Sequence, residues 1–425
     1  MALTLKITFW VCIAAILYNY AGYPILLLFL GFLEQAKSDL VFLIRRKSRR
    51  AGPAGRSDAG QPRIAIVISA FNEESVIEAR VKNVLEINYP PELTEILIGL
   101  DSPADSTASI LSRIDSPRVQ VFNFPTRRGK LAVITDLAQR TSAEILVFTD
   151  ANTIFEDDCV LNLVSHFSDP RVGAVSGEEV RVTAKGTDPA AEGLYWKYES
   201  ALKILESKIH CLHSANGGVY AIRRELFHPE PNLIVEDFQI PLDLRFHGHW
   251  IVYDPDAIGV EEIAPTFDSQ FERRVRLGAG NFQTLFGHPE YLNPFKGRIA
   301  FAYWSHRVLR WTTPILMIAA FAGTSVLVIA AFSGRPGFVR SNDYLVYLVL
   351  FLAQFVFYAL AMAGFWLKKR GTSIGLCRIP LYFCMMNAAM LFGMFRYLGR
   401  RQSTAWAATP RKAPAEALPS RGVER

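Results

Sequence analysis

Several familiar chemistries are missing from this sequence. Its five cysteines, Cys12, Cys159, Cys211, Cys377 and Cys384, form no CxxC pair and no disulfide framework. The eight histidines show no HExxH. The nearest approach to a metal motif, His247-Gly248-His249, reads better as an exposed loop. No GxGxxG and no P-loop follows the first predicted strand, so dinucleotide and Walker readings are weak. No nucleophile with a paired base is visible. Acidic residues are in deficit, 40 against 46 basic ones, which gives a formal net charge of +6 and a pI near 9.0. Apolar residues are not lacking. They make up 50% of the chain, with a mean hydropathy of +0.17. That is high for a soluble enzyme and low for a chain that is all membrane. The length of 425 residues allows about two domains.

The basic excess could signal nucleic acid, but its placement points to a bilayer. Arg45, Arg46, Lys47, Arg49 and Arg50 follow an apolar span, Thr8 to Leu33, and Lys368, Lys369 and Arg370 follow another. This is the positive-inside pattern. A spanning helix needs ~20 residues. Trp311 to Phe332 and Tyr344 to Leu367 also meet that length, and Arg298 to Arg310 reads as an interfacial helix. Leu376 to Tyr397 has basic residues at both ends, so it either spans or lies in the interface. The expected organisation is a transmembrane and juxtamembrane segment over 1–50, a linker over 51–62, and a soluble domain over 63–290. An interfacial helix and transmembrane helices follow over 291–405, then a tail over 406–425. The layout places the chain in the inner (cell) membrane as a multi-pass protein with a cytoplasmic soluble domain.

Within that domain, strands and helices alternate. Arg63 to Ile68, Glu95 to Leu100, Arg118 to Phe124 and Ile145 to Thr149 are short apolar runs, as buried parallel strands are. Val76, Ile77, Val81, Val84 and Leu85 recur at helical spacing, with Asn72 suited to the N-cap. The alternation predicts an α/β fold, a mostly parallel sheet with helices on both faces. In open sheets of that kind, ligands bind beyond the carboxyl ends of strands. Asp101 and Asp150-Ala151-Asn152 stand at such ends. Oxygens at Asp150 and Asn152 suit a hard divalent cation, although Asp and Asn at a strand exit also serve as simple turn caps. Arg127-Arg128-Gly129-Lys130 opens a helix, where charge and free N–H groups suit a phosphate. Ser269 and Glu272 read as a capping box, with Gln270, Arg273 and Arg274 on roughly one helix face.

Ser69 to Glu74, Asp101, Gly129-Lys130 and Asp150-Ala151-Asn152, in this order, resemble the nucleotide-binding half of a family 2, GT-A glycosyltransferase. The resemblance covers roughly Pro62 to Leu285 and extends to membrane polysaccharide synthases of the hyaluronan, chitin and cellulose type. It implies that Phe71, Glu73 and Asp101 hold base and ribose. Asp150 and Asn152 then stand as the DxD pair that holds Mg²⁺ or Mn²⁺ on a sugar nucleotide's diphosphate, with Lys130 beside it. Ala215 to Arg224 and Ile234 to Phe238 match the second half, where the resemblance makes Asp237, next to Glu236, the general base. Gln270, Phe271, Glu272, Arg273 and Arg274 resemble the QxxRW motif, with Arg273 facing the diphosphate and Arg274 in place of the acceptor-lining Trp. Trp406, Thr409 and Arg411 resemble a W-x-x-T-x-R element.

The function implied is an inverting transfer of a sugar from a cytoplasmic nucleotide-sugar donor to a growing polysaccharide or a lipid-linked acceptor. The partners are that donor, that acceptor and the bilayer, without nucleic acid. Two alternatives stay open. One is a non-processive transferase adding one sugar to a lipid carrier, which the missing Trp favours. The other is a non-catalytic scaffold or export component.

Overall fold

The structure, a computed structural model, describes residues 2–45, 60–182, 190–262, 267–333, 341–372 and 374–401. The chain opens with α1 (Ala2–Leu17) and α2 (Tyr23–Arg45), joined by one π-helical turn, Tyr18–Gly22. The elements of the sheet domain then follow in order. They are β1 (Ile64–Ala70), α3 (Ile77–Leu85), β2 (Thr94–Asp101), α4 (Thr107–Leu111), β3 (Val119–Phe124) and α5 (Lys130–Ala138). Next come β4 (Ile145–Asp150), β5 (Thr153–Phe155), α6 (Cys159–Ser165), β6 (Val172–Val182) and α7 (Ala190–Lys208). The domain ends with β7 (Tyr220–Arg223), α8 (Glu236–Phe246), β8 (Trp250–Glu262) and α9 (Phe267–Gly287). After it come α10 (Arg298–Ala302), a π-helical turn at Tyr303–Val308, α11 (Leu309–Phe332), α12 (Ser341–Lys369) and α13 (Gly375–Leu398).

The eight strands form one sheet in the order β3-β2-β1-β4-β7-β6-β8-β5. β3, β2, β1 and β4 run parallel, as expected. β7 is antiparallel to both β4 and β6, β8 is parallel to β6, and β5 is antiparallel to β8. β1 alternates between two cores. Ile64, Ile66 and Ile68 pack on one face with Val81, Ile98 and Val147. Ala65 and Val67 pack on the other with Leu97, Val133, Leu146 and Phe148. Both faces are covered, so the strand reads IAIVISA without polar alternation. Each such Ile or Leu contributes about 1.5–3 kcal/mol on burial.

Register then places the site. Ser69 pairs with Asp150, and Ala70 with Leu100. The carboxyl ends of β1, β2 and β4 therefore lie side by side, with Phe71, Asp101 and Asp150 on one rim.

Among the described residues, four helical stretches are long and apolar enough to cross a membrane: Ala2–Val41, Arg298–Phe332, Tyr344–Lys369 and Gly375–Leu398. The segment expected as a separate interfacial helix, Arg298 to Arg310, is instead continuous with the span that follows it. α13 also packs along α9. Gly393 sits so close to Gly278 that a Cβ there would lie 2.7 Å from the Gly278 backbone. Small residues let helix backbones approach in this way.

Two caps differ from expectation. Asn72 does not begin α3, whose N-cap is Val76. Asn72 instead adopts φ 54° and accepts a hydrogen bond from the Ala104 N–H at 2.8 Å. Its side chain ties one strand exit to the next, which the local sequence does not reveal. Ser269 is no N-cap either, because α9 already runs from Phe267. Residues 46–59, and Trp406, Thr409 and Arg411, lie outside the described residues.

Candidate active site

The rim is built by strand-exit loops that bind one another. The Phe71 ring lies under the Arg127 guanidinium at 3.6 Å. The buried Glu73 donates its N–H to Thr107 Oγ1 at 2.9 Å. Asp101 is buried and spends both carboxylate oxygens on the next loop. Oδ1 accepts from the Arg128 N–H at 2.7 Å and Oδ2 from the Gly129 N–H at 2.9 Å. Gly129 has φ 86°, a region that favours glycine. The consequence is local and specific: Asp101 fixes the start of α5 and so aims Lys130.

Lys130 Nζ lies 2.7 Å from Asp150 Oδ1 and 2.9 Å from Glu236 Oε1. Burial opposes its charge, yet Asp150 and Glu236 outweigh burial and hold its pKa well above the usual lysine range. Burial likewise works against ionising Glu236, and Lys130 prevails, keeping that carboxyl low. Asp237 goes the other way. Burial, then the neighbouring Glu236, push it up to about 6. The two adjacent carboxyls are thus driven apart, one a fixed anion and one near neutrality in its titration, as acid–base chemistry requires. Glycine shapes the floor, since a Cβ at Gly217 would meet Asp237 Oδ2 at 2.7 Å. The Ala215 N–H donates to the Asp237 carbonyl at 2.9 Å.

A second knot adjoins the first. Asn152 Nδ2 donates to Glu261 Oε1 at 3.1 Å, and Arg273 Nη1 reaches the same oxygen at 3.3 Å. Arg181 Nη2 pairs with Glu179 at 2.6 Å and lies 3.9 Å from Glu261 Oε2. Burial is set against the Glu261 carboxylate, but Arg273 and Arg181 keep it well below the usual range. Burial, partly offset by Arg181, leaves Glu179 up at about 7.

The structure therefore brings together Phe71, Glu73, Asp101, Lys130, Asp150, Asn152, Glu236, Asp237 and Arg273. Gln270 lies half-buried one turn before Arg273 on α9. Arg274 diverges. It donates to Tyr382 Oη at 2.6 Å, with the Tyr195 and Tyr382 rings at 5.8 and 5.4 Å.

Sequence reasoning missed Glu179, Arg181, Glu261, Tyr220 and Arg276. Glu261 stood at a strand end, the same signal that revealed Asp101 and Asp150. Arg276 donates to the Ile234 carbonyl at 3.5 Å, near enough to Glu236 and Asp237 for their charge to act on it. Tyr220 Oη is buried without a hydrogen-bond partner among the described residues, close to Glu236 and Lys130.

The donors around Asp150 and Asn152 are hard oxygens, which fits Mg²⁺ or Mn²⁺. The Lys130 bridge shows that this spot favours positive charge. Among the described residues, one group of three potential ligands has its atoms within 4.8 Å of one another: Glu206, His213 and His306. It includes neither Asp150 nor Asn152. His213 Nε2 accepts from Arg307 Nε at 3.3 Å, and Nδ1 lies 3.1 Å from the Cys211 carbonyl oxygen. Both ring nitrogens are engaged, so the group reads as an ion-pair knot.

A mixed sheet with acidic strand exits converging on a cationic helix start defines a GT-A-like fold. Residues 65–227 match the sequence model of Glycosyl transferase family 2. The chain is 23% identical over 231 residues to the poly-beta-1,6-N-acetyl-D-glucosamine synthase of Staphylococcus epidermidis, covering 52% of this chain and 55% of the relative. It is 26% identical over 237 residues to the beta-monoglucosyldiacylglycerol synthase of Nostoc sp., covering 52% and 49%. The chain thus matches about half the length of these relatives. In structure it resembles the mannosyltransferase PcManGT from Pyrobaculum calidifontis, solved with GDP-Man and Mn2+. That likeness has a TM-score of 0.65 at 20% identity and covers 93% of this chain and all of the other.

Proposed function

We propose that the chain is a membrane-bound inverting glycosyltransferase. It moves a sugar from a nucleotide-sugar donor to an acceptor hydroxyl at the cytoplasmic face of the inner membrane, with residues 63–290 as the catalytic domain. The observation that carries this reading is the Lys130 bridge between Asp150 and Glu236, immediately beside the raised Asp237. Phe71, Glu73 and Asp101 frame the nucleoside end. Asp150 and Asn152 would hold Mg²⁺ or Mn²⁺, which would offset charge on the diphosphate. Asp237 takes the acceptor proton as the acceptor oxygen bonds to the anomeric carbon. The bond from that carbon to the phosphate oxygen breaks, and the nucleoside diphosphate leaves. Lys130 and Arg273 face the charge that develops there, as fixed electrostatic stabilisers do. Two relatives named as synthases and the structural neighbour's GDP-Man support the donor class.

Arg274 favours a single transfer to a lipid-linked acceptor over a growing polymer. It holds the position of the family's Trp and binds Tyr382 on an apolar helix. A guanidinium tied in this way does not offer a sugar the face of an indole. The test is to incubate membranes bearing the full chain with labelled UDP-, GDP- and dTDP-sugars, with and without Mn²⁺, and to size the products. Expected is one labelled, solvent-extractable lipid product. A ladder of long glycans would overturn the single-transfer reading. No transfer or hydrolysis of any donor would favour a scaffold instead.

A further inference from the structure

A second polar knot lies where the apolar helices meet the catalytic domain. α7 supplies Glu199 and Glu206. Tyr23 Oη donates to Glu206 Oε1 at 2.7 Å, and His306 Nδ1 lies 2.6 Å from the same oxygen. Arg310 pairs with Glu199 and reaches Asn19 Oδ1 at 3.4 Å. Tyr18 Oη and Ser305 Oγ are 2.9 Å apart. Both apolar runs lose their α-helical register here, and the two π-helical turns touch through that last bond. Such turns insert one residue, redirect side chains and concentrate at functional sites. Ionisable groups in apolar helices are costly and by default mark function.

One member leaves the knot. Arg307 Nη2 donates to Ser214 Oγ at 2.8 Å, and Nε donates to His213 Nε2 at 3.3 Å. Its guanidinium also lies 5.4 Å from the centre of the Phe238 ring. His213 and Ser214 begin the loop that runs to Gly218, while Phe238 directly follows Asp237. That loop is bonded to Asp237 through the Ala215 N–H, and Gly217 backs onto its carboxylate. Arg307 therefore grips the segments on both sides of Asp237. A planar guanidinium makes two directed bonds and a ring contact together, which an ammonium does not.

We propose that Arg307 is a positioning residue for Asp237. Through Ser214 and Phe238, the helical run from Arg298 to Phe332 sets where the carboxylate stands. Docking of the two π turns thereby sets catalytic competence. This rests on the reading of Asp237 as the base. Arg307 acts through Ser214, His213 and Phe238, so its effect is on geometry, where misplacement by about 1 Å costs on the order of 10²-fold in rate.

The test uses the full chain in lipid nanodiscs and compares Arg307→Lys, Ser214→Ala and the double variant. Expected for Arg307→Lys is a fall in kcat of roughly 10²-fold. Affinity for the nucleoside diphosphate, read by calorimetry, stays within about twofold because the donor's framing residues are untouched. The double variant should be no slower than Arg307→Lys, because both changes remove the same bond. Losses that multiply, or a raised KM with unchanged kcat, overturn the proposal. If Arg307→Lys does not fold, Ser214→Ala decides alone: reduced kcat with retained affinity supports the proposal, and unchanged kcat overturns it. Absence of turnover in the wild type would remove the reading of the cleft and this inference together. Turnover with uncoupled variants would remove only this one.

Discussion

Asp237 and Glu236 are adjacent in sequence and opposite in behaviour. Lys130 claims Glu236, and burial with that anion raises Asp237 to about 6. A base works only when unprotonated, so kcat should climb through a limb near pH 6 and flatten above it. A pH–rate profile between pH 5 and 8 checks this. Asp237→Asn should abolish the limb and lower kcat by about 10³-fold, within the usual span for general-base removal. The same shift has a stability side. A carboxyl with a raised folded pKa favours the folded state at low pH and loses that advantage as pH rises through about 6. Asp237→Asn should therefore raise the melting temperature more at pH 8 than at pH 4.5, a comparison thermal melts can make. At this scale the sequence was informative at Asp101 and Asp150, where a predicted strand ended in a carboxylate, and it passed over Glu261, whose strand was not predicted. It was silent where partners come from distant elements, as Glu179, Arg181 and Arg276 do.

Elements tell a different story. β1 to β4 and the helices between them follow from apolar runs and turn chemistry, and their bounds lie close to those read from sequence. The antiparallel insertion of β7 was not legible. A short strand, YAIR, carries no mark of its direction, which is set by the sheet edge it completes. Asn72 and Ser269 failed as caps because side-chain bonds to another loop, or an earlier helix start, override local preference. The two π-helical turns also had no sequence signature. Packing is tight enough to be tested with one methyl group. Gly99 in β2 leaves no room for a Cβ, which would overlap Val133 Cγ1 and press on Leu137. Gly99→Ala should destabilise the domain by about 1–3 kcal/mol, the usual effect of overpacking a close-packed core. Denaturant melts of the purified chain would show a lowered midpoint with an unchanged slope.

For the molecule as a whole, four apolar stretches among the described residues flank one sheet domain, and α9, which carries Arg273, packs along one of them. If Asp150 and Asn152 hold a divalent ion, EDTA should abolish transfer, and Mn²⁺ or Mg²⁺ should restore it. Retention of full activity after exhaustive chelation would remove that assignment. The apolar stretches were legible from length and hydropathy alone. Their docking was not, because hydropathy does not report which glycine meets which. The seam between Gly393 and Gly278 carries a consequence of its own. α9 presents Arg273 to Glu261 while its opposite edge rests, main chain on main chain, against a helix suited to lipid. At that glycine pair no side chain stands between the two backbones. Acyl-chain length in a reconstituted bilayer should therefore act on turnover like an effector, with the protein and its substrates unchanged.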